Sequence, residues 1–366
     1  MAKLSYSELR TLVATVANQG KMLTTTFTTT RDNIAGLVDK IGRIETIDTV
    51  YEDKMADFDA GRLDYGWAVE EWQQDLTLPV VYSKNASSAR TPVYPTYRPA
   101  NYSLPLDEKY FPTSVPIDDI NKAVNNADQL SSITSMILKR LYDSRNAYKY
   151  EIKRQAVGNI VEKAISVQSA PAYAANTAAT LNVGAFTKDS GKIYVVVKKI
   201  ANGTAAATAK ADGSLIETDF VTTIAKPVDN ATGTAFVKQV KTDIEQAMDM
   251  NEGHSFSGNS LGASQGMVLF VKQGLLPSLE VDVEAGAFHM DKVAIPAEIR
   301  VLPDFGNDTS AAYAVLMDKR MIRYFTCAEQ ILSQENINAK CEDYNLFHKP
   351  NCMISYNTFF KVYKES

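Results

Sequence analysis

Chemistry in this chain would have to start from its histidines, cysteines and clustered carboxylates. The three histidines are His254, His289 and His348. None lies in an H-E-x-x-H arrangement, the spacing that sets two imidazoles on one helical face to hold zinc. Cys327, Cys341 and Cys352 are odd in number, confined to the C-terminal eighth and without a C-x-x-C pair. Neither a disulfide framework nor a zinc site has that arrangement, so they read as reduced thiols. Glu70 and Glu71 are adjacent, and successive side chains of a strand point to opposite faces, so the two cannot act as one carboxylate pair. Each is an ion-pairing contact to a neighbour or a solvated edge charge. The glycine-punctuated "GNSLGASQG" (258–266) lacks the spacing and the Lys-Ser/Thr ending of a phosphate-binding loop, and reads as a mobile loop. Lys198-Lys199 and Lys319-Arg320 are short basic pairs of the kind that face solvent. No catalytic, metal or cofactor-binding residue is expected. A hydrolase with a dispersed site would instead need a deep polar pocket holding a perturbed titratable group.

With 366 residues, 45% of them apolar and 22% charged, the chain can bury a substantial core. The formal net charge of −5 and the lack of a long Lys/Arg run argue against sequence-specific duplex binding. The opening "MAKLSYSELR" has no apolar signal region and no apolar run approaches a bilayer's thickness, so a soluble chain is expected.

The elements that would have to position any function differ sharply along the chain. Residues 1–60 read as a jointed arm. Ser5 and Glu8 form a capping box before an apolar face through Leu9, Leu12, Val13 and Val16, and the crowded "LTTTFTTTR" then disfavours helix. Residues 61–113 read as a long two-stranded hairpin, with extended segments near 67–82 and 98–111. Pro79, Pro92, Pro95, Pro99 and Pro105 suit strands with an open side and not the middle of a sheet. Such a hairpin is barely stable alone and needs a surface to lie on. It also carries both tryptophans, Trp67 and Trp72.

From Ile117 to Ala164 apolar residues recur at three- and four-residue steps, through Leu130, Ile137, Leu141, Ile152, Val157 and Val161. The spacing predicts a helix, or a near-continuous pair with Gly158 as its weak point, roughly 65–70 Å long. "KIYVVVKKI" (192–200) and "DFVTTIA" (219–225) read as the two strands of a projecting hairpin. "GTAFVKQVKTDIEQAMDM" (233–250) reads as an amphipathic helix. "MVLFVK", "LLPSLEVDV", "EIRVLPDF" and "AAYAVLMDKRMIRYF" read as intermingled strands and helices, and "NCMISYNTFFKVYKES" as a last strand. The class is α+β.

The order of these parts resembles the major capsid proteins of tailed bacteriophages, the Hong Kong 97-type fold, most like those of short-tailed phages. Three stretches carry the resemblance: "YGWAVEEWQQDLTLPVVYS", similar to the incoming strand of the family's E-loop; "SITSMILKRLYDSRNAYKYEIKRQAVGNIVEKA", similar to its spine helix; and "EIRVLPDFGNDTSAAYAVLMDKRMIRYF", similar to the A-domain strand, turn and segment before a final helix. The resemblance implies an N-terminal arm (1–60), an E-loop hairpin (61–113), a P-domain spine helix (114–166), P-domain strands with an inserted hairpin (167–232), an A-domain (233–335) and a return to the P-domain (336–366). It also implies an E-loop that laps over the neighbouring subunit, with Trp67, Glu70, Glu71, Trp72, Lys84, Arg90, Tyr94 and Tyr97 as inter-subunit contacts. Trp67 and Trp72 can equally pack on their own spine helix. Some relatives cross-link through an E-loop lysine, and Lys84 lies near this loop's tip.

The expected function is that of a structural subunit assembling, as pentamers and hexamers, into an icosahedral head around phage double-stranded DNA. The expected partners are other copies, a portal, a separate scaffolding protein and non-specifically packaged DNA on the inner face, with no membrane and no cofactor. The virion would be its destination and the bacterial cytoplasm its place of assembly. The alternative is an encapsulin-like compartment of the same fold.

Overall fold

"MVLFVK" and "AAYAVLMD" are near-continuous apolar runs, the pattern of strands buried on both faces. The computed structural model places them side by side at the centre of a sheet. It describes residues 51–63, 69–74, 79, 97–101, 103–116, 127–173, 181–263, 265–275, 295–306 and 311–365. In chain order the strands and helices begin with β1 (Asp59–Arg62), β2 (Glu70–Gln74), β3 (Tyr97–Asn101), β4 (Ser103–Pro105), β5 (Lys109–Pro116) and helix α1 (Ala127–Val167). Next come β6 (Phe186–Asp189), β7 (Lys192–Val196), α2 (Ala206–Ala211), β8 (Leu215–Thr218), β9 (Val221–Thr223) and α3 (Asn230–Met248). The remainder is β10 (Asn251–Glu252), β11 (Asn259–Ser260), β12 (Met267–Lys272), β13 (Glu298–Leu302), β14 (Ala312–Asp318), β15 (Ile322–Asn336), β16 (Cys341–Ile354) and β17 (Phe360–Lys364).

The chain divides into two compact units. The larger comprises Asp53–Lys109, Tyr148–Glu329 and His348–Ser366. At its heart is a mixed sheet in the order β13-β12-β14-β17-β9. One face, with Val268, Phe270, Val315, Met317, Phe360 and Val362, packs on Ile152, Ala156, Val157, Ile160 and Val161 of α1. The other, with Leu269, Val271, Ala314, Leu316 and Tyr363, packs on Phe236, Val240 and Ile244 of α3. An irregularity in the β14–β17 register between Ala312 and Ala314 interrupts the alternation at the start of β14. Rings of Phe220, Phe256 and Phe360 stack within about 5 Å of one another in the first cluster.

The helix α1 runs unbroken through Gly158 for 41 residues, about 60 Å at 1.5 Å per residue. The expected stretch 117–126 lies outside the described residues. Among the described residues no helix is long and apolar enough to cross a membrane. Helix α3 starts with a capping box, in which Asp229 accepts from the Thr232 amide at 2.8 Å and the Thr232 hydroxyl faces the Asp229 amide at 3.2 Å. The backbone and side-chain hydrogen bonds from Thr232 hold the Asp229 carboxyl below its ordinary range. Asp229→Ala is expected to cost stability in urea unfolding through loss of this cap. Asp229→Ser should recover most of it.

The smaller unit comprises residues up to Glu52, Tyr110–Ala147 and Gln330–Phe347. There the end of the β15–β16 hairpin takes β5 beside β16. Ser114 Oγ donates to Asp343 at 2.5 Å, and Tyr110 stacks on Phe347 with centroids 5.8 Å apart. The Tyr51 amide donates to Asp143 Oδ1 at 3.1 Å, holding that residue against α1.

Four expectations are corrected. "KIYVVVKKI" does not pair with "DFVTTIA": β7 lies between β6 and β8, whereas β9 runs parallel beside β17. The reason is the turn at Ser190-Gly191, both with positive φ (51° and 81°), as a tight two-residue hairpin requires. No helix follows the Asp318-Lys319-Arg320 turn; β15 and β16 form a long ribbon instead, consistent with the β-branched and aromatic Ile322, Tyr324, Phe325 and Thr326 at its start. The last strand is two strand ends, β16 and β17, separated by a turn over 355–359. The glycine-punctuated loop is packed, not loose: an added Cβ at Gly258 would meet Val197 at 2.9 Å, and one at Gly262 the Met248 carbonyl at 2.9 Å.

Candidate functional site

The hairpin that carries the expected contact residues is paired at its base. Strands β2 and β3 are antiparallel, with Glu70 opposite Asn101, Glu71 opposite Ala100, Trp72 opposite Pro99 and Gln74 opposite Tyr97. They pair only with each other among the described residues. Pro99 is tolerated there because β3 has a second, open edge. The return segment does not stay free, however. Beyond Asn101 it joins the body as β4, whose Ser103, Leu104 and Pro105 lie opposite Met353, Cys352 and Asn351 of β16. The expected 98–111 strand is thus three strands in two sheets, broken where the alternation of apolar residues lapses.

Of the expected contact residues, Glu70, Glu71, Trp72 and Tyr97 fall on this ladder. Glu70 is exposed and Glu71 half-buried, on opposite faces as strand geometry demands. Glu71 contributes to the field at Arg320, whose pKa is raised first by its hydrogen bond to Asp318. Trp67, Lys84, Arg90 and Tyr94 lie outside the described residues.

A second constellation was not expected from the sequence. Lys153 of α1 is fully buried, and its ammonium donates to Asp53 Oδ2 at 2.7 Å and to the Met55 carbonyl at 2.8 Å. It also pairs with Asp59, which Lys149 approaches at 3.4 Å. Met55 and Phe58, buried between these carboxylates, plug the main core. On the next β-strand face Arg300 clasps Asp57 through two nitrogens at 2.6 and 2.8 Å. The segment 53–59 is therefore a strap, held by charge on one side and apolar plugs on the other. The Tyr324 ring lies 5.2 Å from Lys153 Nζ, and its hydroxyl meets His348 Nε2 at 2.6 Å. His348 Nδ1 meets Glu329 at 3.0 Å, so this histidine is a satisfied core residue. His254 packs at a tilt against the Phe359 ring, centroids 5.3 Å apart, and burial lowers its pKa.

None of the three thiols is joined in a disulfide. Burial pushes Cys352 up to about 12 and raises Cys327, the opposite of what activates a thiolate nucleophile. Glu298 is held below the ordinary carboxylate range, first by Lys319 and then by Arg300. The sign of a lysine at an inward helical position, between Ile152 and Val157, was available in the sequence. So was Lys361 inside "FFKVY", which is buried and reaches Asp219 at 2.5 Å. The constellation binds elements of the larger unit together.

A chain with a central sheet packed between a long helix and a second helix, and with β2 and β3 paired outside that sheet, has the Hong Kong 97-type α+β fold of tailed-phage capsids. The solved capsid of Staphylococcus phage Andhra matches with a TM-score of 0.60 over 89% of this chain and 88% of that chain, at 10% identity. The capsid of Cyanophage P-SCSP1u matches at 0.50 over 94% of each, at 8% identity. Identities this low speak for the fold alone. The chain belongs to the Phi29-like phage major capsid protein family, which it matches over residues 4–363. The major capsid protein of Bacillus phage GA-1 is 27% identical over 164 residues, 43% of this chain. The match covers 34% of that relative, so the chain spans about a third of its length. Nothing in these matches singles out a cargo-enclosing compartment.

Proposed function

We propose that this chain is the major structural subunit of a phage head, assembling with copies of itself into the icosahedral shell that encloses double-stranded DNA. The family match along nearly the whole sequence carries the reading. Rings of five and six would close around residues 233–335, with 61–113 lapping onto the neighbour and 1–60 serving as a linking arm. Trp67, Glu70, Glu71, Trp72, Lys84, Arg90, Tyr94 and Tyr97 would supply contacts there, the aromatic residues as desolvated anchors. Many weak contacts suffice when a closed symmetric shell multiplies them. A net charge of −5 suits a container that must release packaged DNA without holding it by counterion exchange. A portal and a separate scaffolding protein complete the set of partners, in a host cytoplasm.

The test is expression of the full chain, with and without candidate scaffold, followed by sedimentation velocity and negative-stain microscopy. Closed shells or rings are expected. A strictly monomeric chain under every condition, crowding included, contradicts the proposal.

A further inference from the structure

Two surface features of the larger unit are exposed among the described residues. The first is a corner at the C-terminal end of α3. Met248, Met250 and Leu261 are 51%, 62% and 56% exposed. They are neighbours: Asn251 pairs with Ser260, which brings Met250 and Leu261 to adjacent register positions, and the Ala263 amide donates to the Ala247 carbonyl at 2.8 Å. Exposed carboxylates of Glu245, Asp249 and Glu252 rim this apolar knob, and none has a cationic partner among the described residues. Methionine's unbranched, polarizable side chain suits a surface that must fit into another.

The second is the outer edge of β13, the terminal strand of the central sheet. Its Ile299 and Val301 are 38% and 37% exposed. Beside them opens a cavity of about 450 Å³ lined by Lys54, Met55, Glu298, Arg300, Val301 and Leu302. Arg300 and Lys319 are neutralised there by Asp57 and Glu298. Lys54 is exposed and has no anionic partner among the described residues. The cavity thus offers an apolar floor and one unspent positive charge. That is the complement of an apolar knob with unspent negative charge.

We propose that the Met248–Met250–Leu261 corner of one copy seats in the cavity beside β13 of the next copy. The inference rests on the shell-subunit reading and names the partner surfaces within it. The contact joins unlike surfaces of identical chains, so repetition closes rings when the rotation allows it. Lys54 meets the Asp249–Glu252 rim, which fixes register and speeds encounter.

The experiment uses the full chain and reads the assembled fraction by sedimentation velocity, with circular dichroism as the folding check. Met248→Glu with Met250→Glu, and separately Val301→Glu, should lower assembly about tenfold or more, as loss of central apolar anchors does. All three positions are exposed enough for the subunit to stay folded. Lys54→Glu alone, and Asp249→Lys with Glu252→Lys, should each weaken assembly, and combining them in one chain should restore it. Wild-type shells alongside unaffected variants, or single losses that the combined charge swap does not repair, overturn this contact and leave the shell reading standing. A wild-type chain that never assembles overturns both.

Discussion

Lys153→Met is expected to destabilise the subunit by about 3 kcal/mol, the lower end of the cost of stripping one partner from a buried ion pair. The methionine keeps the apolar stem packed against α1's neighbours but removes the ammonium. Asp53, whose side chain is 7% exposed, is then a buried carboxylate without its cation, and the Met55 carbonyl loses its donor. Asp59, at 31% exposure, recovers solvation, which is why the upper end of the range is not reached. Adding Asp53→Asn to Lys153→Met should return a good part of the loss, because the orphaned charge and not the missing attraction sets the cost. Urea unfolding of unassembled subunits measures both variants. A Lys153→Met midpoint indistinguishable from wild type would mean that Met55, Phe58 and the Arg300–Asp57 pair hold the strap without it.

Gly253→Ala carries the second large effect. Gly253 sits at φ +83°, and a Cβ there would stand 2.2 Å from the Glu217 carbonyl oxygen, a distance no real contact tolerates. The obstacle is backbone, so no rotamer change relieves it. The residue is also tied on both sides, with its amide donating to the Gly258 carbonyl at 2.7 Å and its carbonyl accepting from the Asp219 amide at 3.0 Å. Strain in φ adds about 1 kcal/mol and overpacking against a fixed wall about 2–3, so a loss of about 3–4 kcal/mol is expected. Gly274→Ala separates the two terms. Its φ is +92°, but nothing lies within 4 Å of the added Cβ, so only the dihedral cost of about 1 kcal/mol applies. Equal thermal shifts for the two alanine variants would show that the 253–258 loop yields freely.

What the sequence disclosed followed from periodicity. The amphipathic pattern of 233–250 became α3 (Asn230–Met248), and the face through Ile152, Val157, Ile160 and Val161 became the buried side of α1. "MVLFVK" and "AAYAVLMD" became doubly buried strands. Pairing was less legible, because it depends on turns. Ser190-Gly191 turns β7 back onto β6, and only the coordinates show β9 leaving that sheet for β17. The glycines of 258–266 looked like slack in composition, yet Gly258 and Gly262 are small because side chains or backbone press on them. The ion-paired strap was invisible for a different reason. Lys153 lies about 100 residues along the chain from Asp53 and Asp59, and nothing local marks the partner of a buried charge.

For the hairpin, the pairing of Glu70–Gln74 with Tyr97–Asn101 falls near the two extended segments expected at 67–82 and 98–111, and Pro99 sits on a strand with no second partner among the described residues. It did not foretell that Ser103–Pro105 return to the body beside β16. Ser103–Pro105 therefore belong to the sheet of β15 and β16 and not to the hairpin.

The most direct test is a cryo-electron microscopy reconstruction of particles assembled from the full chain. The expected map is a closed icosahedral shell in which each β2–β3 ladder rests against a neighbouring subunit. Particles in which that ladder touches only its own chain, or a purified protein that yields no shell at all, would contradict it.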